Sequence, residues 1–476
     1  MSDSSILACA GYLPLLRFDR GIARKDLRWS GLGAGGTGLR AVAGWDEDAL
    51  TMAVEAARGL GAVASSRITF ATTSAPFIDR SQAGMVAEAL GLPPSLSTID
   101  SAGSRRAGTA ALVRALDSRA TELIAAGEKR LAQPGSAHHL AWGDGAAAVL
   151  VGQGPGLARL LGQATVNVDL LDVVTTTARG LPYAAEDRFV RDEAVEAVYV
   201  PAIRQALSAA GLTGAAVTCA ILPEPVSGTY RALARPCGLA CPNLAEEIAA
   251  KAGDLGAALP LFGLTLALER ASTGDVILLA GFGNGADVLL LEVTAPQISR
   301  TATDALMQGA PLTSYSRFLS LTGALALDWG PRAEVNQKVS ASTLARHGRA
   351  MHGFIGGRDA AGNVQFPQTP VPVRPDATGP EPMQPVRLAD EPAHLLSVTA
   401  DRLNFTPDPP FVFGLVQFDN GARVAMELCD TETAPAVGAA LRMRFRIKTI
   451  DRQRQFPTYF WKAAPVSRPP LNAEKP

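Results

Sequence analysis

Residues 100–112 read DSAGSRRAGTAAL. They follow a short apolar run ending at Asp100, pass through a turn of small residues, and continue as GTAALVRALDS, an Ala-rich helical pattern. A strand, a tight small-residue turn and a helix N-terminus together form an elbow of the kind that presents a nucleophile. This elbow holds no cysteine and carries Arg105 and Arg106 in succession. A strand-like ELIAAGEKR follows the helix, and the pattern recurs: LGAALPLFGLTLALERASTGD (255–275) leads into VILLAGFGNGAD. Each unit runs turn, buried helix, buried strand, polar loop. Two copies imply a duplicated α/β unit with a pseudo-dyad, and sites where helix starts and loops of the two halves meet.

Composition bounds the rest. At roughly 150 residues per domain, 476 residues suggest about three units. Net charge is −1, which gives no footing for nucleic-acid or anionic-membrane binding. The five cysteines (9, 219, 237, 241, 429) are odd in number and irregularly spaced, as expected for reduced thiols in a cytoplasmic protein. Cys237 and Cys241 lack a second pair, so no zinc site is read there. ILACAGYLPLL (6–16) follows Asp3 rather than a basic segment and is broken by Pro14, so it reads as a first buried strand, not a signal core. The apolar run 255–269 contains a proline and ends in charge, which predicts a core helix rather than a membrane span.

Beyond residue 296 the character changes. YSRFLSLTGAL (315–325) predicts a short helix, and residues 350–392 are rich in proline and glycine. From 394 alternating strands appear, with Asn420-Gly421 as a hairpin signal. Several strands within about seventy residues predict a small β-barrel of the OB type.

Five stretches, RAVAGWDEDALTMAVEAAR (40–58), ATTSAPFIDRSQAGMVAEALGL (71–92), RAGTAAL (106–112), PGSAHHLAWGDGAAAVLVG (134–152) and GDVILLAGFGNGADVLLLEV (274–293), resemble the 3-hydroxy-3-methylglutaryl-CoA synthase branch of the thiolase superfamily. FTPDPPFVFGLVQFDNGARV (405–424), MRFRIKT (443–449) and YFWKAAP (459–465) resemble the OB-fold partner that accompanies many such enzymes, usually behind a zinc ribbon. The resemblance implies a thiolase-like α-β-α-β-α layered fold followed by a small C-terminal β-barrel. The expected divisions are a thiolase-like N-terminal half over 1–165 and a C-terminal half over 166–296. A linker, short helix and degenerate ribbon over 297–392 then precede the OB-fold over 393–466 and a tail over 467–476.

Such enzymes use a cysteine at a helix N-terminus, assisted by histidine and asparagine, and the synthases add a glutamate. Counting four back from Thr109 gives Arg105 at the cysteine position. Pro223 stands where the histidine belongs, Asp254 where the asparagine belongs, and no histidine occurs between 140 and 346. The glutamate's neighbourhood, ATTSAPF, has no carboxylate before Asp79. Three of three core positions therefore depart from the pattern, and the covalent Claisen mechanism is not expected of this chain.

Ser104 and Asp254 stay as catalytic candidates; Ser104 would need a base beside it. Asp254 and Arg105 are expected to form a salt bridge in place of a catalytic dyad. Arg105 and Arg106 are candidates for binding an anion or a CoA phosphate, or else pair with acidic residues of the chain or a partner. Gly283, in GFGNG, is either an oxyanion-hole donor or a packing glycine. His138 and His139 suit a loop or interface better than a metal site, and Asp144 suits a cap on backbone N–H groups. The ribbon-like segment keeps GNVQFP (362–367) but no cysteine, so no zinc is expected, and His347 and His352 are too few to replace four ligands.

The functional expectation is acyl-CoA handling. A thioester of coenzyme A would be the substrate or ligand, with no resident cofactor. The chain would be the non-catalytic subunit of a heteromeric complex with a thiolase-like partner, acting on a β-ketoacyl-CoA. A stand-alone condensing enzyme or thioesterase with non-standard residues, and an acyl-CoA-binding scaffold, are the alternatives. A homo- or hetero-oligomer is expected.

Overall fold

The computed structural model describes residues 4–32, 36–330 and 338–471. The final residues of the expected tail, 472–476, lie outside them.

Nine strands form one mixed sheet: β1 Ser4–Tyr12, β2 Arg67–Ala71, β3 Ser97–Ser101, β4 Glu122–Glu128, β5 Gly145–Gln153, β6 Ala158–Asn167, β7 Cys219–Ile221, β8 Val276–Phe282 and β9 Gly285–Val293. Their order is β7-β8-β9-β6-β1-β5-β4-β2-β3. It divides at the short antiparallel junction of β1 with β6, where only Ser5 and Ile6 pair with Arg159 and Ala158. On one side β1-β5-β4-β2 repeats β6-β9-β8-β7 on the other. Strands β2 and β4 are parallel, as are β7 and β8. The counterpart of β3 in the second half shrinks to a single parallel bridge between Ala220 and Asn243. The duplication read from the two helix–strand units is therefore present in the backbone.

The layers follow from side-chain alternation. In β4, Leu123 and Ala125 join a core that includes the helices α1 Ala49–Arg58 and α2 Gln82–Ala89, while Ile124 and Ala126 face a second core. That second core holds α3 Ala107–Asp117 and, from the repeat, the helix Leu259–Leu268. In β8, Ile277 and Leu279 face the same middle core, and Leu278, Ala280 and Phe282 face a third one with α4 Val200–Ala210 and α5 Thr229–Cys237. Helix α6, Leu259–Leu268, is buried at every position and apolar all round, as expected of a core helix. The result is five layers, helix–sheet–helix–sheet–helix, with α3 and α6 at the centre. Strands covered on both faces explain the near-continuous apolar runs of β4, β8 and β9.

After the sheet come the expected short helix, Tyr315–Leu321, and a helix Ala341–His352 that the sequence reading did not anticipate. Three short strands, β10 Ile355–Arg358, β11 Val364–Gln365 and β12 Gln384–Arg387, make a small sheet in the ribbon-like segment. There Arg374 bridges Asp359 at 3.2 Å and Glu381 at 2.9 Å. The Asp359 carboxylate also accepts from the backbone N–H of Ala361 and Asn363.

The barrel consists of β13 Ala393–Asp401, β14 Phe411–Phe418, β15 Arg423–Glu427, β16 Ala440–Asp451 and β17 Phe456–Pro465, in the order β15-β14-β13-β16-β17. It closes through a parallel bridge from Leu428 to Ala463. The Asn420-Gly421 hairpin forms as read, with Gly421 at φ +95°. The barrel has no core of its own: Phe418, Phe445, Tyr459 and Trp461 belong to the cluster that includes α1 and α2. Polar ties cross the same junction, among them Tyr459 Oη to Asp48 at 2.7 Å and Trp461 Nε1 to the His352 carbonyl at 2.6 Å. The stretch expected to be a free tail from 467 is docked as far as it is described. The Arg468 side chain is 8% exposed and donates to the Leu13 carbonyl at 2.7 Å and to Asp430 at 2.7 Å.

Candidate functional site

The elbow leads from β3 into α3, whose N-cap is Arg106. Ser104 Oγ donates to the Gly283 carbonyl at 2.7 Å and accepts from the Arg106 N–H at 3.3 Å. These partners tie the elbow to the GFGNG loop; neither is a base.

Arg105 and Arg106 are both paired inside the chain. Arg105 binds the buried carboxylate of Asp172 and lies 5.9 Å over the Phe282 ring. Arg106 binds Asp287 at 3.2 Å, and Thr109 and Thr165 donate to the same carboxylate. A cation at a helix N-terminus opposes the helix dipole, and the buried Asp287 offsets that cost. The expected Arg105–Asp254 bridge does not form. The Asp254 carboxylate instead pairs with Arg130 at 3.1 Å and caps the Gly256 N–H at 2.9 Å. Burial favours its neutral form but is outweighed by Arg130 and the nearby Arg105, which hold its carboxyl below the usual range.

Gly283 is not a free oxyanion donor. Its N–H bonds the Gly285 carbonyl at 3.0 Å across the hairpin. Its φ is +156°, and a Cβ there would lie 2.5 Å from Ser104 Oγ. The packing role is therefore the one observed. Gly283→Ala is expected to lower stability by about 1–3 kcal/mol through overpacking, read as an earlier urea midpoint.

Pro223 follows β7, and its carbonyl accepts from Tyr199 Oη at 2.6 Å. The carboxylate that the sequence reading sought near residues 72–74 arrives from β4. Glu128 is fully buried, accepts from the Thr73 N–H and hydroxyl and from the Thr72 hydroxyl, and lies 3.5 Å from Arg130. Burial pushes its carboxyl up despite Arg130. The signal in the sequence was a glutamate closing the strand ELIAAGE (122–128), whose interior is apolar.

Arg105 and Arg130 thus tie Glu128, Asp172, Tyr199 and Asp254 into one charged cluster around the elbow crevice. His138 joins them: it stacks on Trp142 at 5.0 Å, and burial with Arg130 and Arg105 lowers its pKa. His139 points elsewhere, against Phe318 and Tyr315. Burial and Arg40 push it down to about 4. A histidine buried neutral stabilises the fold above its unfolded pKa near 6.5, and that contribution is lost as pH falls toward the folded value. Acidification from pH 7 to pH 4 is expected to cost about 2–3 kcal/mol at this site, and His139→Phe should flatten that limb of a stability–pH curve. Asp144 serves as read, accepting from the Ala43 N–H at 2.9 Å.

None of the five cysteines lies on the elbow: Cys9 is in β1, Cys219 in β7, Cys237 ends α5, and Cys241 and Cys429 are in loops. Burial pushes the thiols of Cys9 and Cys219 up to about 12. Among the described residues no three side chains of metal-ligating type converge, and no helix is long and apolar enough to cross a membrane.

Comparison with known proteins accords with this architecture. The chain is similar to the hydroxymethylglutaryl-CoA synthase of Aeropyrum pernix, 27% identical over 359 residues, covering 71% of this chain and 95% of that protein. It is likewise 27% identical to the enzyme of Pyrococcus furiosus over 60% of this chain and 85% of that protein. Among solved structures, an HMG-CoA synthase complexed with CoA superposes with a TM-score of 0.57 at 15% identity, covering 71% of this chain and 95% of that one. OleA of Xanthomonas campestris superposes with a TM-score of 0.54 at 19% identity, covering 62% and 97%. A family model of the ChsH2 C-terminal OB-fold domain matches residues 386–446. The fold is thus thiolase-like, with an OB-fold at its C-terminus.

Proposed function

We propose that this chain, built like a thiolase-superfamily condensing enzyme, is an acyl-CoA-handling subunit without its own Cys-His-Asn chemistry. It would work with a thiolase-like partner that makes or breaks a carbon–carbon bond in a β-ketoacyl-CoA. The observation that carries this reading is the occupant of the elbow. Where the resemblance puts a nucleophile, the Arg105 guanidinium is neutralised by Asp172 and packed over Phe282. An arginine stays protonated in proteins and attacks nothing. Two further features support it: Ser104 is bonded to a carbonyl rather than a base, and the Gly283 N–H is already bonded. The OB-fold, which shares a core with the layered body, would help shape the acyl-CoA path.

The test is co-purification of the tagged chain from its native cell, then assay against a panel of β-ketoacyl-CoA esters. The reading expects a thiolase-like chain in the complex and no binding partner of unrelated fold in its place. Absence of any CoA-ester binding by calorimetry, to either chain or complex, would overturn it.

A further inference from the structure

A cleft of about 740 Å³ opens between the barrel and the segment following the helix Tyr315–Leu321. Cavities of this size hold drug-sized ligands. Its walls include Trp45, Leu327, Trp329, Phe405, Phe411 and Ile450. Trp329 meets Phe405 edge-on at 5.7 Å, and Leu327 is 44% exposed, so the apolar wall is open to water.

The charges at the cleft are uneven. Lys448 and Lys462 share the Glu427 carboxylate, and Lys462 also binds Asp46 at 3.0 Å. Of these, Lys448 and Glu427 line the cleft, Lys462 and Asp46 lie behind it, and the four charges balance. Arg452, exposed at the cleft, lies 5.4 Å over the Phe405 ring and has no carboxylate partner among the described residues. An aromatic and aliphatic wall therefore ends beside a guanidinium that has no carboxylate partner among the described residues.

We propose that this cleft binds a small amphipathic anion, its hydrocarbon or flat-ring body against Trp329, Phe405 and Leu327 and its anionic end on Arg452. One cation without a carboxylate partner among the described residues suits a single carboxylate or sulfonate better than a polyanion. A guanidinium stacked on an aromatic ring keeps its N–H fork free for a bidentate carboxylate. The site is separate from the elbow crevice and does not depend on the acyl-CoA reading.

Calorimetric titration of the full chain with decanoate, and with decan-1-ol as a neutral comparator of equal chain length, tests it. Decanoate should bind more tightly than decan-1-ol. Arg452→Gln should weaken decanoate about tenfold and leave decan-1-ol unchanged, while Leu327→Asp should weaken both. Both residues are exposed, and unchanged circular dichroism shows that the variants fold. The proposal is overturned by no binding of decanoate to the full chain, by equal losses for both probes in Arg452→Gln, or by full binding in Leu327→Asp.

Discussion

Asp430→Asn is expected to lower the stability of the whole protein by about 3–5 kcal/mol, the cost of breaking a buried ion network by removing one partner. Asp430 binds Arg446 at 3.0 Å, Arg468 at 2.7 Å and Arg444 at 3.4 Å. Arg446, fully buried, reaches across the junction to Glu47 at 3.0 Å and to Tyr12 Oη at 2.9 Å. Arg444 reaches Glu55, which sits in α1. The barrel, the layered body and the C-terminal segment are therefore held by one set of mutually compensating charges. Asparagine leaves three buried guanidiniums short of one negative charge. A second substitution, Arg468→Met, should recover part of the loss, because it removes one of the surplus cations. Urea unfolding followed by tryptophan fluorescence reads both, and a single transition is expected because the barrel and body share their core.

The pH dependence has a definite sign. Burial favours a neutral Asp430, but Arg446, Arg468 and Arg444 outweigh it and hold its carboxyl well below the usual range. Such a group stabilises the fold above its unfolded pKa, near 3.9, and that contribution is lost only as pH falls toward the folded value. The junction should therefore outlast pH 4, and Asp430→Asn should lose this part of the acid limb.

Arg105→Ala is expected to cost about 3 kcal/mol, the lower end of the range for breaking a buried pair, because Arg105 is partly exposed while Asp172 is 4% exposed. The variant leaves the Asp172 carboxylate uncompensated. Replacing both, Arg105→Met with Asp172→Leu, should restore most of the stability, since apolar residues of similar volume substitute well for buried pairs. If the elbow instead held a catalytic guanidinium, the double variant would be stable and would lose the activity of the assembled complex. On the present account it keeps that activity unless the crevice is reshaped for the ligand, which a KM measurement on the complex detects.

Local signals carried much of the fold. The small-residue turn, helix and buried strand at 100–128, repeated at 255–282, contained the duplication, because in both copies helix and strand bury side chains in the same middle core. Asn420-Gly421 marked its hairpin because that turn needs positive φ. The helix Ala341–His352 gave only a weak signal because its inward face, Leu344, Gly348, Met351 and His352, carries just two large apolar side chains. The candidate site was legible in position but not in pairing. Arg105 meets Asp172, Arg130 meets Asp254, and Glu128 meets Thr72 and Thr73. These partners are distant in sequence and are brought together by strand order, which periodicity does not encode. The charge of Arg468 likewise read as tail until the junction supplied its partner.

The most direct test of the central claim is β-ketoacyl-CoA cleavage measured on the purified chain and on the native complex, side by side. No cleavage is expected from the chain alone, and cleavage by the complex should be unaffected by Ser104→Ala in this subunit. Cleavage by the chain alone that Ser104→Ala abolishes would contradict it.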